Sequence, residues 1–411
     1  MTTNAVQRLW PWGVLILMLL LLPFIFNANS AITIMIQMAI TIVFALSYNM
    51  LLDQAGLLSF GHAVYMGLGG FFCLHTLNFF VDRAVPIPVP FLPIFAGLFS
   101  LGIATVIGSF STRRSGTIFA MISLGIVELV ASFSIIIVAF FGYGGAGGDR
   151  TEATPFFGVD FAQQFEVYYL VIFWLILSTV LMYVLTVTPL GRMCNAVRDN
   201  PERVEFLGYS ARLLRFYSFC GAGFFAGIAG GLSAISYEIA TAENLTVEAS
   251  GTILMVVFLG GVGHFYGPIL GAILFTLLQT VLSFETDLWQ LYLGVLFLAT
   301  VMFFPRGLAG VLALHGPVLR TGRISAVWRP YLATVGSGAM GVLGWAGLAE
   351  LAFFVRRAPV GEPDITLFWV TFDSQDVWVW LLFSVIAVGG VWMAKRNAPD
   401  LAAVWTDPAQ N

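Results

Sequence analysis

The chain has 411 residues, of which 59% are hydrophobic and 10% charged, with a net charge of −4. Soluble domains sit nearer half apolar and a quarter charged, so this composition argues against a soluble fold. The acidic balance, with the basic residues spread among loops, argues against nucleic-acid binding.

Several apolar runs reach the length of about 20 residues that crosses a ~30 Å hydrocarbon core as helix. They do not alternate with the two-residue period of a membrane β-barrel strand. The expected fold is an all-α polytopic membrane protein. It should have about ten core transmembrane helices with broken glycine-rich segments, plus a C-terminal helix pair. The expected divisions are an N-terminal helix within 1–30, a core over 31–310 and an extension over 311–411.

In chain order, Arg8 precedes an apolar run from Leu9 to Phe26, and Ala28-Asn29-Ser30 follows it. The pattern faintly resembles a signal peptide. The run is long for one and further helices follow at once, so an uncleaved first helix is expected. A second helix is expected over Ala31–Leu52. After Asp53-Gln54-Ala55-Gly56, a third begins within the glycine-rich LLSFGHAVYMGLGG and reaches about Phe80. Expected helices four to seven cover Phe91–Phe110, Thr117–Phe141, Val167–Val187 and Phe216–Tyr237. A glycine-rich loop spans Gly142–Glu166, and Glu238, Glu243 and Glu248 mark an acidic one.

From Ala249 to Phe284 there are 36 residues without charge. One helix of that length would measure about 54 Å, more than a bilayer needs. Gly260, Gly261, Gly263, Gly267 and Pro268 supply a break. A short helix to Leu259 and a second to Phe284 are expected, then another over Leu288–Phe304. His315–Pro330 reads as a basic linker, followed by apolar runs at Tyr331–Val355 and Val377–Ala394.

The polar stretch Thr188–Phe216 interrupts this pattern. It holds five of the eighteen basic residues, Arg192, Arg198, Arg203, Arg212 and Arg215, interleaved with Asp199, Glu202 and Glu205. One reading is a cytoplasmic docking surface through which another protein moves the membrane helices. The other is a solvated loop whose arginines only set orientation. With the N-terminus inside, fourteen Lys and Arg fall on cytoplasmic loops and four outside. The positive-inside rule therefore places both termini in the cytoplasm. It also favours a full, if short, crossing by the helix ending near Leu259.

Two junctions resemble each other at a constant offset of 202 residues: Gly61-His62 with Gly69, and Gly263-His264 with Gly271. Interrupted segments in matching positions point to a transporter's binding site. Small residues also serve close helix packing. Gly56, Gly61, Gly260, Gly261, Gly263 and Gly267 are the candidate helix-break glycines. His62 and His264 read as junction residues rather than ligands. Glu128 sits mid-helix in MISLGIVELVASF, where a charge costs on the order of 3 kcal/mol. It is either a translocation-path residue or an interhelical hydrogen-bond partner. Asn49, Gln54 and Gln279 are weaker path candidates.

Cys73, Cys194 and Cys220 are far apart and form no disulfide or metal-ligand spacing. The chain has neither a phosphate-binding G-x-x-x-x-G-K-[ST] nor H-E-x-x-H or G-x-S-x-G. No catalytic residue, metal or cofactor is expected on this chain, and any ATP hydrolysis belongs to another subunit. A stand-alone proton-coupled carrier or channel using Glu128 remains the alternative.

LSYNMLLDQAGLLSFGHAVYMGLGGF resembles the early segment of LIV-type branched-chain amino-acid ABC importer permeases. RRSGTIFAMISLGIVELV is similar to their next passage. PLGRMCNAVRDNPERVEFLGYSARLLRF is similar to their cytoplasmic loop, and FLGGVGHFYGPILGA and VMFFPRGLAG to their late segments. The likeness covers about Ala31–Gly310, and the longer N-terminal helix resembles the M-type subunit. The resemblance implies a permease of the bacterial inner membrane for branched-chain or related amino acids. It implies a heterodimer with a second permease subunit, two cytoplasmic ATP-binding subunits and a periplasmic substrate-binding protein. The loop around Arg192–Gly208 would then be the coupling helix that sits in the ATPase, with Gly191, Arg192, Val197, Arg198, Asp199, Asn200, Arg203, Leu207 and Gly208 as its residues. Phe206 departs from the family pattern, where a small residue is common. The region after about His315 lies outside the resemblance.

Overall fold

A computed structural model describes residues 17–304, 306–321, 324–357 and 364–406. Of the expected first helix, the part before residue 17 lies outside the described residues. The chain divides into two compact units, 1–310 and 311–411. Nine helices among the described residues are long and apolar enough to cross a bilayer, so the protein is an all-α, multi-pass membrane protein.

The first unit opens with α1 (17–25) and α2 (Asn29–Asn49), and α2 runs on into a π-helical turn at Met50–Gln54. Gly56, at φ +65°, turns the chain back, a conformation open to glycine at little cost. Residues 55–62 then retrace part of α2. Tyr48 Oη donates to the Ser59 carbonyl at 3.0 Å, and Ser47 Oγ lies 3.0 Å from His62 Nε2. Helix α3 (Ala63–Asp82) therefore starts level with Ser47, inside the bilayer span rather than at its edge. The backbone N–H groups of Phe60 and Ala63 are met by the hydroxyls of Ser123 and Ser250. This is how a non-helical backbone is tolerated at membrane depth.

Helix α4 (Leu92–Ser111) is followed by α5 (Thr117–Ile136). The expected continuation of that helix to Phe141 is broken at Ile137 (φ −90°, ψ 68°), and a single turn, α6 (Val138–Phe141), redirects the chain. His75 Nε2, 2.6 Å from the Phe140 carbonyl, holds the turn. Strand β1 (Gly145–Gly147) lies beyond, then α7 (Gln164–Val187), α8 (Pro189–Asp199), α9 (Pro201–Phe206) and α10 (Ala211–Tyr237). Helix α10 is the most buried span and packs against α3 and α4 through small residues. A Cβ at Gly230 would stand 1.9 Å from the Met66 carbonyl oxygen, so only glycine allows this approach.

Between Glu238 and Gly263 the chain runs in pieces. Strand β2 (Ile239–Thr241) pairs antiparallel with β1, and a 3-10 turn at Ala242–Leu245 packs on Gly67 of α3. Then α11 (Val247–Gly260) carries the chain onward. Its 14 residues span about 21 Å, less than a ~30 Å core. The segment leaves Glu238, beside Arg150, and arrives at Gly263, beside Asp53 at the far end of α2. Strand, turn and half-length helix together cover the distance between those ends. Helix α12 (Gly267–Glu285) returns antiparallel to α11, with Gly260 against Gly267 and Gly271 against Val256.

Helix α13 (Trp289–Phe303) ends within a residue of the expected Phe304. The chain bends by 51° into α14 (Gly307–Thr321). The basic linker expected over His315–Pro330 is likewise helical where described, in α14 and at the start of α15 (Ile324–Arg357). Arginine is a good helix former, and its charge alone does not imply a loop. In the second unit, α15 and α16 (Val377–Thr406) form an antiparallel hairpin. Gly341 and Gly344 meet Gly390 and Ala387 there. Strands β3 (Asp364–Leu367) and β4 (Val370–Asp373) cap it, with Leu351, Ile365, Leu367, Val379 and Phe383 buried beneath.

Candidate functional site: a helical hairpin on the arginine-rich face

The polar stretch is not a loop but three helix starts in succession, each readable as a cap. Thr188 Oγ1 accepts from the Gly191 N–H at 3.4 Å, and Pro189 opens α8. Asn200 Oδ1 accepts from the Arg203 N–H at 3.0 Å, and Pro201 opens α9. Ser210 Oγ accepts from the Leu213 N–H at 3.4 Å and starts α10. Polar N-caps pre-set all three starts, and at α8 and α9 proline follows at the first helical position. Gly208, at φ +86°, ends α9 with its N–H on the Glu205 carbonyl. A Cβ at Gly191 would lie 2.3 Å from the Leu185 carbonyl oxygen, so glycine there lets α8 fold back on the end of α7. Helix α10 begins at Ala211, five residues before the expected start, so Arg212 and Arg215 are helical.

Cys194, Val197, Val204, Ala211 and Leu214 form a small core of their own beneath the hairpin. The Cys194 thiol donates to the Leu214 carbonyl at 3.6 Å, and burial pushes its pKa up to about 11. Of the coupling-loop candidates, Gly191 and Val197 are buried in this packing. Arg192, Arg198, Asp199, Asn200, Arg203, Leu207 and Gly208 face outward. At the tip of α9, Phe206 is 89% exposed, Leu207 65% and Tyr209 52%. Three exposed apolar side chains thus follow the exposed Glu202, Arg203 and Glu205 along the chain. Single exposed apolar residues are ordinary, but a cluster at the tip of a rigid element marks an interaction surface.

Arg198 also faces the membrane helices. Its Nη1 lies 2.7 Å from Asp53 Oδ1 and also donates to the Asp53 carbonyl. Its Nε lies 3.1 Å from Asp199 Oδ1. The sequence reading missed Asp53 as a partner, because 145 residues separate the two.

The path candidates are not gathered into one chamber. Asn49 and Gln54 are buried at the far end of α2. Gln279 is half-buried on α12, and Glu128 is exposed on an outward face of α5 with Met121 and Leu129. Of two interior hollows, one lined by Tyr65, Phe119 and Phe219 has no free volume, and one beside Gly67 and Gly230 has about 10 Å³. Neither holds an amino acid; even one water needs roughly 10–15 Å³. The helix-break glycines fall at chain reversals or tight approaches. Gly56 follows the π turn, Gly61 abuts the Ser123 carbonyl, and Gly260, Gly261, Gly263 and Gly267 form the α11–α12 turn. Gly69 packs on Gly227 of α10 while Gly271 packs on α11, so the two similar junctions serve different neighbours. Arg150, which the sequence reading used only for orientation, is 5% exposed and clamps the loop before α7 to the end of α10.

Residues 30–302 match the family described as branched-chain amino acid transport system / permease component. The chain is similar to the high-affinity branched-chain amino acid transport system permease protein LivM of Escherichia coli strain K12. The two are 26% identical over 293 residues, covering 66% of this chain and 67% of that protein. The LivM protein of Salmonella typhimurium is 26% identical over 310 residues, covering 70% of this chain and 71% of that one. The probable branched-chain amino acid transport permease protein LivM of Methanocaldococcus jannaschii is 25% identical, over 65% of this chain and 89% of that protein. No solved structure matches the chain. With the match spanning seven of the nine long helices and the α8–α9 hairpin, the chain belongs to the family of branched-chain amino acid transport system permease components.

Proposed function

We propose that the chain is the transmembrane permease subunit of an ATP-driven ABC importer for branched-chain or related amino acids. It sits in the bacterial inner membrane with both termini cytoplasmic. It works with a second permease subunit, two cytoplasmic ATP-binding subunits and a periplasmic substrate-binding protein, and ATP is hydrolysed on those separate subunits. The observation that carries this reading is the α8–α9 hairpin: a capped, self-cored element on the arginine-rich face, presenting Phe206, Leu207 and Tyr209 to solvent. A carrier driven by protons has no use for such a docking element. Fourteen of eighteen basic residues fall on the same side in this orientation, which supports a cytoplasmic hairpin. Glu128, on an outward face of α5, is assigned to the side of the translocation path shared with the second permease subunit. A lone carboxylate turned to lipid at that depth would cost on the order of 3 kcal/mol.

The test is co-purification of the tagged chain, expressed with its neighbouring transport genes, as wild type and as Phe206→Glu. Wild type should bring down the ATP-binding subunits, and the variant should lose them while keeping the second permease. A wild-type chain that purifies alone overturns the reading and favours a stand-alone carrier.

A further inference from the structure

Three segments that are distant in sequence converge on the Asp53 carboxylate. The first is the π-helical turn that ends α2 and carries Asp53 itself. The second is α8, whose Arg198 lies 2.7 Å away through Nη1 and also caps the Asp53 carbonyl. The third is the α11–α12 turn, whose Gly263 N–H and His264 ring lie within electrostatic reach. The Arg198 stem packs on the chain reversal as well, since a Cβ at Gly56 would stand 3.0 Å from its Cγ. The base of the turn is tied to α10 by the Ser218 hydroxyl, which donates to the Met50 carbonyl at 3.0 Å.

The pair is not an ordinary surface ion pair, which is worth little. The Asp53 side chain is only 15% exposed, against 36% for Arg198. Removing the guanidinium leaves a carboxylate that water reaches poorly, so the contact is held shut. Both segments it joins to α8 are chain reversals, made of a π turn and of glycines at φ +65°, +108° and +98°. Such segments absorb dihedral change more readily than helix does, and π turns recur at functional sites.

We propose that the Arg198–Asp53 pair is the strut that carries movement of α8 to both chain reversals, and so to the inner ends of α2, α11 and α12. Arg198 and Asp53 are positioning residues: they touch neither solute nor nucleotide. The proposal rests on the reading of α8–α9 as the ATPase-facing element.

The test uses the assembled complex in proteoliposomes with its binding protein, and reads leucine transported per ATP hydrolysed. Asp53→Asn and Arg198→Gln should each lower that ratio about tenfold or more, within the usual range of coupling between sites. The ATP-binding subunits should still co-purify, because the Phe206 knob is untouched. Exchanging the charges, Asp53→Arg with Arg198→Asp, should recover a large part of the ratio, which a purely local packing role does not predict. A wild-type ratio in Asp53→Asn, or no recovery in the exchanged pair, overturns the strut. If the wild-type complex does not assemble, or its uptake needs no ATP, the functional reading fails instead, so the two failures are distinguishable.

Discussion

Replacing Arg150 by alanine should be among the costliest single changes outside the membrane core. The guanidinium is almost fully buried and donates to four backbone carbonyls: Phe161 at 2.7 Å, Ile235 at 3.1 Å, Ser236 at 3.3 Å and Ala162 at 3.4 Å. Two of these belong to the last turn of α10, where helical carbonyls lack partners and carry partial negative charge. A hydrogen bond to a charged group contributes about 1.5–3 kcal/mol, but four sharing one desolvated charge do not add. Breaking such a buried network by removing one partner costs about 3–5 kcal/mol, and that is the expected loss for Arg150→Ala. The ion pair is a minor part of it. Glu238 lies 3.5 Å away with its side chain 38% exposed, so Glu238→Gln should cost less than about 1 kcal/mol. Arg150→Lys should fall between, because an ammonium cannot reproduce the planar fork. Thermal unfolding of the purified protein in one detergent ranks the three variants. If Glu238→Gln proves as damaging as Arg150→Ala, the carbonyl-clamp argument is wrong and the charge pair dominates.

Other expectations follow from the same contacts. Glu128→Gln should leave co-purification with the ATP-binding subunits unchanged while lowering leucine uptake severalfold; unchanged uptake removes Glu128 from the path. Cys194 should alkylate slowly with iodoacetamide at pH 8, and faster as pH rises toward its pKa of about 11. The thiolate is the nucleophile, and burial that pushes the pKa up to about 11 keeps it scarce at pH 8. Complete labelling of Cys194 within minutes at pH 7.5, read by peptide mass spectrometry, would show that the hairpin core is open. Gly230→Val should prevent close packing of α3 on α10, since even a Cβ would sit 1.9 Å from the Met66 carbonyl oxygen. Gly102→Ala, with nothing within 4 Å, should be neutral or mildly stabilising in the same melting assay.

Much of the fold was legible because membrane helices announce themselves by length and apolarity, and glycines by punctuation. The runs beginning near Phe91 and Leu288 land within a few residues of α4 and α13. The polar stretch is recognisable as a special surface and the family resemblance implies a helix within it, but not the two separate helices that Thr188-Pro189 and Asn200-Pro201 cap. What the sequence withheld is non-local. Nothing in the order of residues pairs Gly145–Gly147 with Ile239–Thr241, brings Arg198 to Asp53, or buries Arg150 against α10. These contacts arise only when the broken helices are packed. The crossing at 238–263 was inferred from charge asymmetry rather than from a helix, and the structure covers that distance with strand, 3-10 turn and half-length helix. The error at His315–Pro330 came from treating arginines as a sign of loop, when they suit an exposed helix equally well.

The most direct test of the central claim is uptake of radiolabelled leucine by vesicles holding this chain with its second permease, ATP-binding subunits and binding protein. The account predicts uptake that requires internal ATP, persists when the proton gradient is collapsed, and disappears with Phe206→Glu. Uptake by the chain alone, driven by a proton gradient and indifferent to ATP, would contradict it and make Glu128, not the α8–α9 hairpin, the centre of the mechanism.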